Sequence, residues 1–236
     1  MSHSINLQEI DVDGAVREAR EEAIDGLPVG DTRLTFLRKS AVAGGAAVSG
    51  GALLGAFAPS ALAAGGGRPP SKFGKGDVGV LNYALTLEYL EAAFYNGASA
   101  ANLPLSSQGA AFLKIVTTDE NAHVAFLKKA LGSKAAKEPM FSFKGANTNA
   151  EMFMKTAEVL ENTGVHAYSG QALNIKKAAY VKAALSILTI EARHASVIGL
   201  LNDPTGEMIA PNGPFDTPLT AAKVLAAVKE TGFIVG

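Results

Sequence analysis

Two histidines in this sequence each follow a glutamate by three positions, in Glu120-Asn121-Ala122-His123 and Glu191-Ala192-Arg193-His194. On an α-helix, residues i and i+3 project from one face. Each pair therefore offers a carboxylate and an imidazole to one metal ion, or to two ions that share the carboxylate. The chain has four histidines, and one of them, His3, lies in an acidic N-terminal stretch. With Glu at roughly 6% of the surrounding residues, two Glu-x-x-His pairs among the other three would arise by chance at about the 1% level.

Two more glutamates carry a matching signature. Tyr95 follows Glu88 by seven residues, and Tyr168 follows Glu161 by seven. Seven steps of 100° return to within about 20° of the starting direction, so each Glu and Tyr share one helical stripe. Glu88 precedes Glu120 by 32 residues and Glu161 precedes Glu191 by 30, which makes the two halves an approximate repeat of helix pairs. Folded face to face, they gather four carboxylates and two imidazoles, an oxygen-rich donor set that suits iron or manganese better than thiolate-loving metals.

Each of these residues has a competing reading. Glu91 and Glu158 lie three positions from Glu88 and Glu161 and are alternative ligands, although the tyrosine spacing favours Glu88 and Glu161. Tyr95 and Tyr168 either fill the core or donate hydrogen bonds across the bundle. Asp119 is either a solvated neighbour or the group that orients His194 through its outer ring nitrogen. His166 lies about 140° off the Glu161 stripe and reads as surface or packing. Glu207 and Asp216 fall in loops and are expected to face water.

Helices must carry this site, and the composition agrees. Hydrophobic residues make up 48% of the 236, aromatics only 7%, and Trp is absent; abundant Ala and Gly favour closely packed helices over aromatic-rich strands. A formal net charge of −1 does not suit a basic nucleic-acid reader. With no cysteine, disulfides, thiolate metal sites and cysteine nucleophiles are excluded. Start and stop signals predict a first helix from Asp77, as N-cap, to about Gly97 and a second from Ser106 or Ser107 to Leu131, closed by Gly132. A third runs from about Asn149 through Tyr168, a fourth from about Ile175 to Leu201, and a short fifth follows Thr220. The stretch 132–148 has no helical period. Fully extended it reaches roughly 50 Å, against roughly 36 Å for a 24-residue helix, so it can cross the whole bundle. One long crossover between the second and third helices is the ferritin-like topology.

Upstream, the character changes. Residues 1–31 are acidic and lack a long apolar stripe; then come Arg33, Arg38 and Lys39, an uncharged run from Ser40 to Gly67, and Ala61-Leu62-Ala63. Basic flank, apolar core and small-x-small site are the order of an export signal cut after Ala63. Thr32-Arg33-Leu34-Thr35-Phe36-Leu37-Arg38 is similar to the twin-arginine signal, with Leu34 where the second arginine belongs. The expected organisation is a leader and export signal over 1–64, a linker over 65–75 and a helical domain over 76–236. The product would then be periplasmic, in the cell envelope, or extracellular; an uncleaved signal would instead anchor it in a membrane.

The segments around Leu81–Tyr95, Thr118–His123, Glu161–Tyr168 and Ile190–His194 resemble the ferritin-like domain family, in the branch of desiccation-related proteins and their exported bacterial relatives. The likeness covers about residues 73–235. It implies an all-α four-helix bundle with a long crossover and a short C-terminal helix. It also implies a di-iron or di-manganese carboxylate centre on Glu88, Glu120, His123, Glu161, Glu191 and His194. A small oxidant, oxygen or peroxide, is the expected partner, and a homo-oligomer is compatible. The alternative is a structural or stress-protective bundle that makes no catalytic use of metal.

Overall fold

A computed structural model describes residues 67–235; the acidic leader, the twin-arginine-like segment and the cleavage site after Ala63 lie outside them. The described residues form five α-helices: α1 (Gly76–Ala101), α2 (Ser107–Leu131), α3 (Ala150–Gln171), α4 (Ala178–Asn202) and α5 (Ala221–Thr231).

Capping residues set most of the ends. Ser106, Asn149 and Thr220 each place a side-chain oxygen on the amide three residues on, at Gly109, Met152 and Lys223, satisfying donors that a helix start leaves unpaired. Asp77 departs from expectation. It lies inside the first turn of α1, whose N-cap is Lys75, and its carboxylate accepts from the amides of Lys176 and Lys177, each at 2.9 Å. Those amides precede α4, which therefore begins at Ala178 rather than at Ile175. A residue read as a local cap is a tie between the starts of two helices.

Helix α1 packs mainly on α2, and α3 on α4. One apolar cluster joins Phe94 and Tyr95 of α1 to Phe112 of α2, Phe153 of α3 and Ile198 of α4. The other joins Leu81 and Leu85 of α1 to Leu127 of α2 and Ile187 of α4. The end of α2 thus lies with one cluster and the start of α3 with the other, so the connection between them travels the length of the bundle. Asn82 fastens its beginning: buried in α1, it donates to Lys134 O and Phe73 O and accepts from Ala136 N. Further along, Phe143 is buried, and Phe141 pairs with Ile234 in an isolated antiparallel bridge.

Residues 67–75 are seated on the bundle. The Gly67 carbonyl accepts from the buried Gln171 side chain at 2.6 Å and from Ala221 N at 3.2 Å. Nearby, the segment before α5 crosses α3, with Leu219 N donating to His166 O at 3.1 Å. A Cβ on Gly170 would stand 1.8 Å from the Leu219 carbonyl oxygen. Gly170→Ala is therefore expected to cost about 1–3 kcal/mol by overpacking, against a helix-propensity gain of about 1 kcal/mol. Thermal unfolding reads the net effect, and an unchanged or higher melting temperature would refute the close approach.

By length and composition α4 could cross a membrane. In the structure it is a bundle helix that carries Glu191 and His194 inward, both buried.

Candidate metal centre

Between the two apolar clusters the four long helices turn acids inward. Glu88, Glu120, Glu161 and Glu191 are all fully buried. Helix period and antiparallel packing bring them together: one carboxylate from each of α1 and α3, one carboxylate and one imidazole from each of α2 and α4. Their ligand atoms fall into two overlapping groups, Glu88, Glu120, His123 and Glu191, and Glu120, Glu161, Glu191 and His194. Within each group the atoms lie within 4.8 Å of one another. Glu120 and Glu191 belong to both.

Both histidines present Nδ1 to the centre. His123 Nδ1 lies 3.3 Å from Glu88 Oε2, 3.2 Å from Glu120 Oε2 and 3.2 Å from Glu191 Oε1. His194 Nδ1 lies 3.2 Å from both Glu120 Oε1 and Glu161 Oε2. These distances suit ion pairs, yet most of the atoms are not aligned for hydrogen bonds. Glu88 Oε2, Glu120 Oε1, Glu161 Oε2, both oxygens of Glu191 and His194 Nδ1 are buried without a hydrogen-bond partner among the described residues. Leaving such groups unpaired costs free energy that a cation would offset.

The outer faces of the site are held by hydrogen bonds. The Tyr95 hydroxyl donates to Glu161 Oε1, and the Tyr168 hydroxyl to Glu88 Oε1. The tyrosines are crossed, α1 serving α3 and α3 serving α1. Burial, then the glutamate each one touches, holds both phenols well above their ordinary range, so they stay donors. His194 Nε2 lies 3.1 Å from Asp119 Oδ2, which fixes the ring orientation and turns Nδ1 toward the carboxylates. Phe112 packs edge-on against the same ring, centroids 6.4 Å apart.

Protonation follows from this crowding. Burial, then the Glu88 carboxylate, raises Glu120 to about 7 from its ordinary 4.5, against the opposing pull of the two nearby histidines. Burial also raises Glu191, with Glu120 and Glu161 adding to it. Burial alone would lower the histidines, but the carboxylates around Nδ1 outweigh it; His194 rises to about 11, and His123 rises as well. Without a metal, the cluster neutralises itself with protons.

Of the residues weighed as alternatives, Glu158 turns away and accepts from Asn202 at 2.6 Å. His166 lies 3.5 Å from Asp216, whose side chain is partly exposed, and Glu207 is exposed. Glu91 does not replace Glu88. Both are buried, and Glu91 is a fifth carboxylate beside the cluster. The helical stripe that marks Glu88 does not mark Glu91; the available signal is Gly164, which occupies the matching position on the other half of the repeat.

The family model for the ferritin-like domain matches residues 76–203. The chain belongs to the ferritin-like domain family. No match was found among curated proteins.

Proposed function

We propose that this protein is an exported ferritin-like protein that holds two iron or manganese ions and uses them in redox chemistry with oxygen or peroxide. The observation that carries the reading is the set of buried, unpartnered carboxylate oxygens and the His194 nitrogen converging from four helices. Glu88 and His123 would hold one ion, Glu161 and His194 the other, and Glu120 and Glu191 would be shared. Two such ions, when bound, would supply the electron transfer to or from oxygen or peroxide.

The chain's own groups fit that task. Tyr95 and Tyr168 fix the terminal carboxylates Glu161 and Glu88 by donating a hydrogen bond to each. Asp119 orients His194, and both line a surface groove of about 360 Å³ together with apolar residues such as Ile115, Val116, Ile190 and Val197. A small uncharged oxidant can approach the site along that groove. The desiccation-related branch and export from the cytoplasm belong to the same proposal, supported by the leader sequence and by the motif resemblance.

The test is direct turnover. The iron(II)-loaded protein is expected to consume oxygen, and the manganese(II)-loaded protein to release oxygen from peroxide, in at least one case faster than the free metal. A loaded protein inert to both would favour the structural, stress-protective bundle. Asp119→Asn is expected to weaken metal binding about 10–100-fold while barely moving the melting temperature of the metal-free chain, because Asp119 is 37% exposed. Calorimetric titration with manganese(II) measures the first effect, and an unchanged affinity would remove Asp119 from the site.

A further inference from the structure

Basic charge is gathered at one end of the bundle. Residues 68–79 hold three Lys or Arg side chains, 128–137 four and 172–183 three, together ten of the sixteen in 65–236, and all ten are exposed. Hydrogen bonds tie the three stretches to one another. Asn82 of α1 donates to Phe73 O and Lys134 O, Asp77 accepts from Lys176 N and Lys177 N, and the Tyr180 hydroxyl reaches Ala130 O at 3.5 Å. Asp77 is the one acid within these stretches, and its carboxylate is taken up by the two amides; Glu138 follows the second stretch. Among the described residues the lysine ion pair is that of Lys155 with Glu151, and none of the ten takes part in one.

Helix stability does not account for the pattern. Lys128 and Lys129 sit in the last turn of α2, where the helix dipole favours a cation, but Lys75 is the N-cap of α1 and Lys177 that of α4, where the dipole disfavours one. The charge follows the end of the molecule and not the polarity of its helices. The chain also enters the domain here, because Gly67 is held by Gln171, the last residue of α3. In the sequence, residues 40–67 carry no charge and lead directly into Arg68; by length and composition such a run suffices to cross a bilayer.

We propose that this basic end is a docking surface for a membrane of anionic phospholipid. Headgroup phosphates supply the negative charge that the ten exposed cations lack, and each Lys or Arg close to such a surface adds to the attraction. The uncharged run before Arg68 belongs to the same surface by its place in the chain. With that run cut away, the lysines alone would hold the domain, reversibly and with strong dependence on salt. The metal centre lies between the two apolar clusters, away from this end, so membrane docking and metal binding are separate properties.

The experiment is co-sedimentation of the full chain with vesicles of phosphatidylcholine alone and of phosphatidylcholine mixed with phosphatidylglycerol, at low and high salt. The parent is expected to bind the anionic vesicles more tightly, with the difference shrinking as salt rises. The variant Lys75→Gln, Lys176→Gln, Lys177→Gln should lose about a hundredfold in affinity for the anionic vesicles, roughly fivefold for each lysine near the surface, and keep the parent's affinity for the neutral ones. A control with Lys114→Gln, Lys155→Gln and Lys223→Gln, outside the three stretches, should behave as the parent. All six side chains are exposed, so neither variant disturbs the core. Equal binding of the parent to both kinds of vesicle, or an equal loss in the control, would overturn the inference. So would a duplex DNA oligonucleotide that binds the parent more tightly than the anionic vesicles at the same salt, since the basic end would then belong to a nucleic acid.

Discussion

Manganese(II) or iron(II), at a hundredfold excess over its dissociation constant, is expected to raise the melting temperature of the metal-free protein by roughly 10–20 °C. An ion that binds only the native state stabilises it by RT ln(1 + [L]/Kd), about 2.7 kcal/mol per site at that excess. Two sites give about 5 kcal/mol, and a domain of this size shifts by roughly 2–4 °C per kcal/mol. The effect is large because the metal-free state is strained electrostatically: four fully buried carboxylates face one another and are relieved only by protons. Glu161→Gln is the informative variant. It removes one charge while keeping an oxygen for the Tyr95 hydroxyl, which truncation to Ala would strand in the core. The metal-free Glu161→Gln protein is expected to melt higher than the metal-free parent and to gain less from metal. Scanning calorimetry checks both, and a parent that melts at the same temperature with and without either ion would contradict the account.

The second large effect is a reversed dependence on pH. Glu120 has its pKa raised to about 7 from 4.5 and His194 to about 11 from 6.5, so the metal-free native state holds protons that the unfolded chain releases. The Glu120 contribution is fully present below about pH 4.5 and is lost as the pH rises through about 7. That of His194 is fully present below about pH 6.5 and is lost as the pH rises through about 11. From pH 6 to 9 these two groups together keep about one extra proton in the native state, and their contribution to stability falls by about 1.4 kcal/mol per pH unit. The melting temperature of the metal-free protein should drop by roughly 3–6 °C per unit. Metal demands the deprotonated ligands, so its binding tightens over the same range and the gap between loaded and metal-free melting curves widens. Paired scans at pH 6, 7 and 8 with manganese(II) measure this. A metal-free protein that gains stability with rising pH would contradict it.

The parts of the fold visible in the sequence are those set by local chemistry. Ser106, Asn149 and Thr220 act within one turn, and the helices they start are found where the capping pattern places them. The start of α4 was not visible, because the group that sets it, Asp77, lies about a hundred residues away. Glu88, Glu120, His123, Glu161, Glu191 and His194 could be singled out because helical spacing puts each pair on one stripe, and the structure brings all six together. Donation by the tyrosines across the bundle was one of the two readings of the stripe, and packing decides for it, giving Tyr95 to Glu161 and Tyr168 to Glu88. Glu91 looked like a substitute for Glu88, since a choice of face along one helix carries no information about an empty place on another; only the close approach at Gly164 shows that both acids fit.

The most direct test of the two-metal centre is elemental analysis of the purified full chain after growth with iron and manganese, beside a Glu120→Gln, Glu191→Gln variant that removes both shared carboxylates. The parent should carry about two metal ions per chain, as a two-metal site requires, and the variant should carry almost none. A parent that holds no more metal than the variant, even after reconstitution with iron(II) and manganese(II), would contradict the central claim.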